Sequence, residues 1–109
     1  MAQVVKEVIC RDRIRHIRSG FGWVDHRFVR DRYIQGCSTT SLAVYLFLIA
    51  VSDADGVSYW GESAMCDRLR LGKAELKHAR AELEAADLIA YEKPIWQVLQ
   101  LPATKEEQR

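Results

Sequence analysis

The stretch Met65-Cys66-Asp67-Arg68-Leu69-Arg70-Leu71-Gly72-Lys73-Ala74-Glu75-Leu76 decides how this chain folds. A large apolar residue, Met65, is followed by a small one, Cys66, and then by Leu69, Leu71 and Leu76. That spacing describes two helices joined through a tight turn at Arg70-Leu71-Gly72. Helices joined this way cross steeply, and only a small residue at the crossing lets the backbones approach. Cys66 is read as that buried small residue; no base stands near it in sequence to make it a nucleophile.

On the C-terminal side, Lys73 to Ala86 is rich in Ala, Leu, Glu and Lys, all good helix formers. Leu76, Ala79, Leu83 and Ala86 form its inward stripe, and Lys73, Lys77, Arg80 and Glu84 the opposite one. Leu88–Tyr91 and Ile95–Leu101 flank Glu92-Lys93-Pro94, the pattern of a β-hairpin with a short tip.

On the N-terminal side, Glu62–Leu69 is the first helix of the pair, and Val57–Trp60 is a short strand after the turn cluster Asp53-Ala54-Asp55-Gly56. Leu42–Val51 is apolar all round, and periodicity alone does not separate a buried helix from a buried strand there. Its length and the capping residues Ser38 to Ser41 favour a helix, expected to be central and buried. Asp25 is a candidate N-cap for a helix His26–Ile34, with Phe28, Val29 and Tyr33 inward and Arg27, Arg30 and Arg32 outward. Phe21-Gly22-Trp23 reads as a loop whose aromatics are expected against the core. Gln3–Cys10 has Val and Ile on both faces and reads as an extended arm or strand. A lone strand is not stable, so it is expected to pair with an edge in its own chain or in a second subunit.

The 109 residues suit a single domain, and 49% hydrophobic with 28% charged residues is an ordinary globular composition. The expected organisation is a basic arm and short helix over 1–37, the main domain over 38–102 and a polar tail over 103–109. Leu42–Val51 is far short of the roughly 20 apolar residues that span a bilayer. Met1–Lys6 leads into Glu7 rather than an apolar run, so the expected location is cytoplasmic. Cys10, Cys37 and Cys66 form no C-x-x-C pair, and His16, His26 and His78 have no ligand spacing. No disulfide, metal or cofactor is expected. Residues 1–35 hold eight basic against four acidic side chains, and residues 36–109 hold eight against eleven, so the net charge of +1 divides into +4 and −3. Such asymmetry suits a polyanion partner or an acidic protein surface.

From Ser38 to Leu101 the order of elements and the Met65–Leu76 pattern, continued by Leu83 and Leu88-Ile89, resemble a winged helix-turn-helix domain. The likeness is to those of small bacterial and phage regulators and of replication initiators. Phe21–Arg30 is also similar to small uncharacterised bacterial proteins associated with mobile elements. The resemblance implies an α+β, mainly α fold: a winged helix with a short C-terminal hairpin, preceded by an extended arm. It departs from the family at Gly72, where a Ser or Thr cap is usual, and at Asp87, where a Gly usually precedes Leu-Ile.

In such domains the second helix of the pair enters the major groove, where base edges differ. The resemblance therefore implies double-stranded DNA as partner, with Lys73, Lys77 and Arg80 at the groove. Arg68, Arg70 and the hairpin-tip Lys93 would hold phosphates, and Arg27 and Arg30 would extend the basic surface. A transcriptional regulator or a mobile-element or replication accessory factor is the implied role. Glu75, Glu82 and Glu84 on the same helix oppose phosphate attraction. The alternative is a protein-interaction module built on the same fold, for dimerisation or docking. An enzyme is not expected, because the chain has no Gly-rich phosphate loop, no H-E-x-x-H and no nucleophile with an orienting base. A homodimer is expected, since palindromic sites mirror two-fold proteins and the apolar arm lacks a partner.

Overall fold

In the computed structural model, which describes residues 4–103, the order is α1 (Arg27–Arg30), α2 (Thr39–Val51), β1 (Val57–Tyr59), α3 (Glu62–Leu69), α4 (Lys73–Ala85), β2 (Ile89–Glu92) and β3 (Ile95–Val98). Single 3-10 turns occur at Arg11–Arg13 and Tyr33–Gly36. The expected polar tail beyond Ala103, and Gln3 of the expected arm, lie outside the described residues.

Ser38 starts α2 by accepting the Ser41 backbone N–H on its hydroxyl at 3.2 Å. Such a cap satisfies one of the orphan amides of a helix start. Val44, Leu48, Met65, Leu76, Leu83, Leu88 and Trp96 are each at most 1% exposed, so α2, α3, α4 and the sheet meet in one core. Leu76, Ala79 and Leu83 of the expected inward stripe are buried and Ala86 is half-buried, as is Cys66 at the crossing.

The sheet is antiparallel in the order β1-β3-β2. Ser58, Trp96 and Tyr91 form one cross-strand row that turns inward, because side chains alternate across a strand. The buried Trp96 ring donates from Nε1 to the Trp60 carbonyl at 3.0 Å, which fixes the end of β1 to the hairpin. The sequence places Val57–Trp60 as a short strand; the tertiary structure makes it the third member of the hairpin sheet. The result is an α+β fold, mainly helical, with a small sheet after the helices: winged-helix-like.

Both helices of the pair end in the same way. The Leu71 amide donates to the Cys66 carbonyl at 3.0 Å, with Arg70 left-handed at φ 58°. The Leu88 amide donates to the Leu83 carbonyl at 3.0 Å, with Asp87 at φ 61°. This is the Schellman arrangement, which usually has glycine at the left-handed position.

Three expectations are corrected. The helix expected over His26–Ile34 is interrupted by Arg32, which is left-handed at φ 68°, so only Arg27–Arg30 is α-helical. Asp25 does hold its start, accepting the Arg27 N–H at 2.9 Å. Phe28 is buried against Tyr45, with ring centroids 4.9 Å apart, but Val29 is exposed. Phe21 and Trp23 are exposed rather than tucked in, although their loop meets α2 at Gly22, where a Cβ would overlap the Ile49 carbonyl. Although α2 is apolar all round, it is not wholly covered; Ala43, Leu46 and Ala50 form an exposed stripe. The arm extends from the body without a strand partner among the described residues.

Candidate nucleic-acid interface

The three carboxylates of α4 are engaged within the fold. Glu75 reaches back so that its Oε1 accepts the Gly72 N–H at 3.0 Å, the half of a capping box that needs no side chain at the cap. This compensates for the absence of a Ser or Thr at Gly72. Glu82 accepts the Ser38 N–H at the start of α2. That bond, followed by the Ser41 hydroxyl, holds the Glu82 carboxyl below the usual glutamate range. Glu84 lies 3.9 Å from Arg80 Nε.

Arg80 is itself engaged. Its Nη1 donates to Glu62 Oε1 at 2.7 Å, and its guanidinium lies 4.4 Å from the centroid of the Tyr91 ring. Only 13% of its side chain is exposed. By helical spacing Arg80 falls in line with Lys73 and Lys77, but β2 packs beside this turn of α4 and covers it. Lys73 and Lys77, on the first two turns, remain exposed.

Glu62 is the hub that the sequence reading missed. Its carboxyl is lowered, first by the Arg80 hydrogen bond and then by the positive charges of Arg80, Lys93 and Lys73. The charges at the N-terminal end of α4 and at the hairpin tip are thus both felt at the start of α3. Ser63, Cys66, Asp67, Arg70, Leu71 and Lys73 line one shallow cleft along the interhelical turn, which brings Arg70 beside Lys73. Arg68 lies 5.7 Å from the centroid of Trp60, whose ring meets Phe47 edge-on at 4.9 Å. Lys73, Lys77, Arg68, Arg70 and Lys93 are all exposed. No spacing signal links Glu62 to residues that lie in α4 and at the hairpin tip.

Arg27 and Arg30 lie elsewhere. Arg27 Nη2 pairs with Asp25 Oδ2 at 2.8 Å, and Arg30 Nε with Asp31 Oδ1 at 3.3 Å. The side-chain bond from Arg27, followed by its backbone N–H, holds the Asp25 carboxyl down at about 2. Their helix packs on Tyr45, whereas Trp60 and Arg68 stack beyond Phe47. Tyr45 and Phe47 are two residues apart on α2 and so differ by about 200° in direction, which puts Phe28 of α1 and Trp60 on opposite sides of α2. The structure brings Arg70 beside Lys73 in one cleft, lets Lys73 and Lys93 both act on the Glu62 carboxyl and sets Arg68 over Trp60, with Lys77 one turn further along α4, whereas Arg27 and Arg30 pair with Asp25 and Asp31 at α1.

Among the described residues no group of three His, Cys, Asp or Glu side chains could hold a metal ion, and no helix is long and apolar enough to cross a membrane. Neither a family model nor a curated protein matches the chain. One solved structure, described as "Structure of Rep-DNA complex", is similar over 82% of this chain and 81% of its own, with a TM-score of 0.56 and 16% sequence identity. At that identity the likeness establishes a shared fold, and the chain is similar to that Rep protein in architecture.

Proposed function

We propose that this chain binds double-stranded DNA, with Lys73 and Lys77 of α4 in the major groove and Arg68, Arg70 and Lys93 on the flanking phosphates. The observation that carries this reading is the cleft along the interhelical turn that brings Arg70 beside Lys73 at the exposed start of α4, and it is supported by the charges of Lys73 and Lys93 both acting on the Glu62 carboxyl. A winged helix needs that arrangement to hold base edges and backbone together. The engagement of Glu75, Glu82 and Glu84 within the fold supports it by giving each carboxylate a partner in the protein. The described similarity to a Rep–DNA complex supports it at the level of architecture.

In this reading Arg80 is a positioning residue: it ties α4 to α3 through Glu62 and to the hairpin through Tyr91. Arg27 and Arg30 belong to a separate surface. The role is that of a cytoplasmic bacterial regulator, or of an accessory factor for replication or a mobile element, acting as a homodimer by binding rather than by catalysis. Fluorescence anisotropy with a mixed-sequence duplex tests it. Binding should weaken as salt rises and be lost on combined Lys73→Glu and Lys77→Glu. Absence of binding even at low salt overturns it.

A second reading, a protein-docking module on the same fold, is favoured by one observation. Val4, Val5, Val8 and Ile9, close together along one extended segment, are 91%, 80%, 53% and 97% exposed, and contiguous exposed apolar side chains mark contact surfaces.

A further inference from the structure

We infer that residues 11–23 bind single-stranded nucleic acid, with Phe21 and Trp23 stacking on unpaired bases and Arg11, Arg13, Arg15 and Arg18 holding the phosphates. This contact is separate from the duplex contact assigned to α4 and does not depend on it.

Phe21 and Trp23 are 67% and 81% exposed, yet the loop that carries them is seated on the body. Gly22 lies so close to the Ile49 carbonyl of α2 that no side chain fits there. Gly20 turns the chain into this loop at φ 114°, a conformation that glycine adopts without strain. The two rings line one side of an open cleft of about 510 Å³, and Ala50, Ser52 and Asp53 line the other. That volume lies in the range of small-ligand sites. Aromatic rings held at solvent in this way offer flat faces on which bases stack. In a duplex each base is already covered by its neighbours, so the rings select unpaired ones.

The phosphate-binding groups enter the same cleft along the chain. Arg18 adjoins Ser19, the first residue of its lining. Arg11, Arg13, Arg15 and Arg18 stand against Asp12 as the one acidic side chain of residues 11–24. All four arginines are exposed, and none is ion-paired with another described residue. The planar guanidinium fork suits phosphate oxygens. Asp53 is the acidic group of the cleft, and its Oδ1 accepts the Asp55 and Val57 amides at 2.9 and 3.0 Å. A carboxylate there repels phosphate, so the backbone of a bound strand runs on the arginine side and the bases on the aromatic side.

The combination favours a polynucleotide over a protein. An apolar protein surface laid on this segment would desolvate guanidinium groups without an anion to meet them. An acidic protein surface would meet the arginines and leave the two rings without flat partners. A single strand supplies regularly spaced anions and stacked π faces in one ligand, which is the pairing of cationic track and aromatic platform that single-strand binders use.

Fluorescence anisotropy of the full chain with labelled oligothymidylate and oligouridylate tests the inference, at about 20 nucleotides so that one site is covered. At least one should bind, and binding should quench tryptophan emission, since Trp23 is exposed whereas Trp60 is half-buried and Trp96 buried. Combined Phe21→Ala and Trp23→Ala should weaken binding by at least about tenfold and leave its salt slope unchanged. Replacing Arg11, Arg13, Arg15 and Arg18 together by Ala should flatten the slope of log affinity against log salt by about 2 to 3. All these side chains are exposed, so circular dichroism should stay that of the wild type. Combined Lys73→Glu and Lys77→Glu should remove duplex binding and leave single-strand binding intact, which separates the two contacts. No binding of either oligonucleotide at low salt overturns the inference. So does binding that survives loss of Phe21 and Trp23, or that disappears with Lys73 and Lys77, which would assign the strand to α4. A chain that ignores both oligonucleotides yet self-associates by light scattering overturns it in favour of a protein contact.

Discussion

Arg80 Nη1 donates to Glu62 Oε1 at 2.7 Å, joining the third turn of α4 to the first turn of α3. The same guanidinium lies over Tyr91 of β2, so one side chain holds three elements. Arg80→Ala should destabilise the fold by about 1–2 kcal/mol, mainly through the stacking and packing lost around a guanidinium side chain that is only 13% exposed, since Glu62 at 42% exposed is solvated without it. Arg80→Lys should recover only part of this, because an ammonium lacks the planar fork. Urea denaturation measures both. Full stability in Arg80→Ala would show that the latch contributes nothing.

Duplex binding separates positioning from contact. Each phosphate neutralised contributes about 0.9 to the slope of log affinity against log salt. Lys93→Ala should flatten that slope by nearly one, because the hairpin tip is read as a phosphate contact. Arg80→Ala should lower affinity with the slope unchanged. A flattened slope in Arg80→Ala would place that guanidinium on the phosphate backbone after all.

Asp87 is held at φ 61° by the Schellman bond from the Leu88 amide to the Leu83 carbonyl. Asp tolerates this conformation better than most residues, yet glycine adopts it freely. Asp87→Gly should therefore raise stability by about 0.5 kcal/mol, even though glycine makes the unfolded chain more flexible. A lower melting temperature in this variant would show that the Asp side chain contributes more than its backbone strain costs.

Glu82 links α4 to the first turn of α2, and its folded pKa lies below the ordinary 4.5. A depressed carboxyl stabilises the fold above its unfolded pKa, and that contribution disappears as pH falls through the folded value. Melting temperature should therefore drop as pH is lowered below about 4.5, and less steeply in Glu82→Gln. Asp25, ordinarily near 3.8 and held at about 2, should act in a lower window, between those two values. Identical acid profiles for wild type and Glu82→Gln would mean that the Ser38 contact is not maintained in solution.

The elements that the chain specifies locally were legible in its residues. Met65, Cys66, Leu69, Leu71 and Leu76 set the helix-turn-helix pair, because spacing along a helix dictates which side chains share a face. The Leu76-Ala79-Leu83 stripe is buried as its period requires, and Asp87 takes the left-handed position after α4. The joining of β1 to the hairpin, the engagement of Glu75, Glu82 and Glu84, and the capture of Arg80 were decided only by the tertiary structure. Each depends on groups far apart in sequence, such as Ser38 with Glu82 or Glu62 with Arg80. The same holds for the exposed stripe of α2. A helix apolar on every side carries no record of which face its neighbours cover, because burial is a property of packing and the local pattern there is uniform.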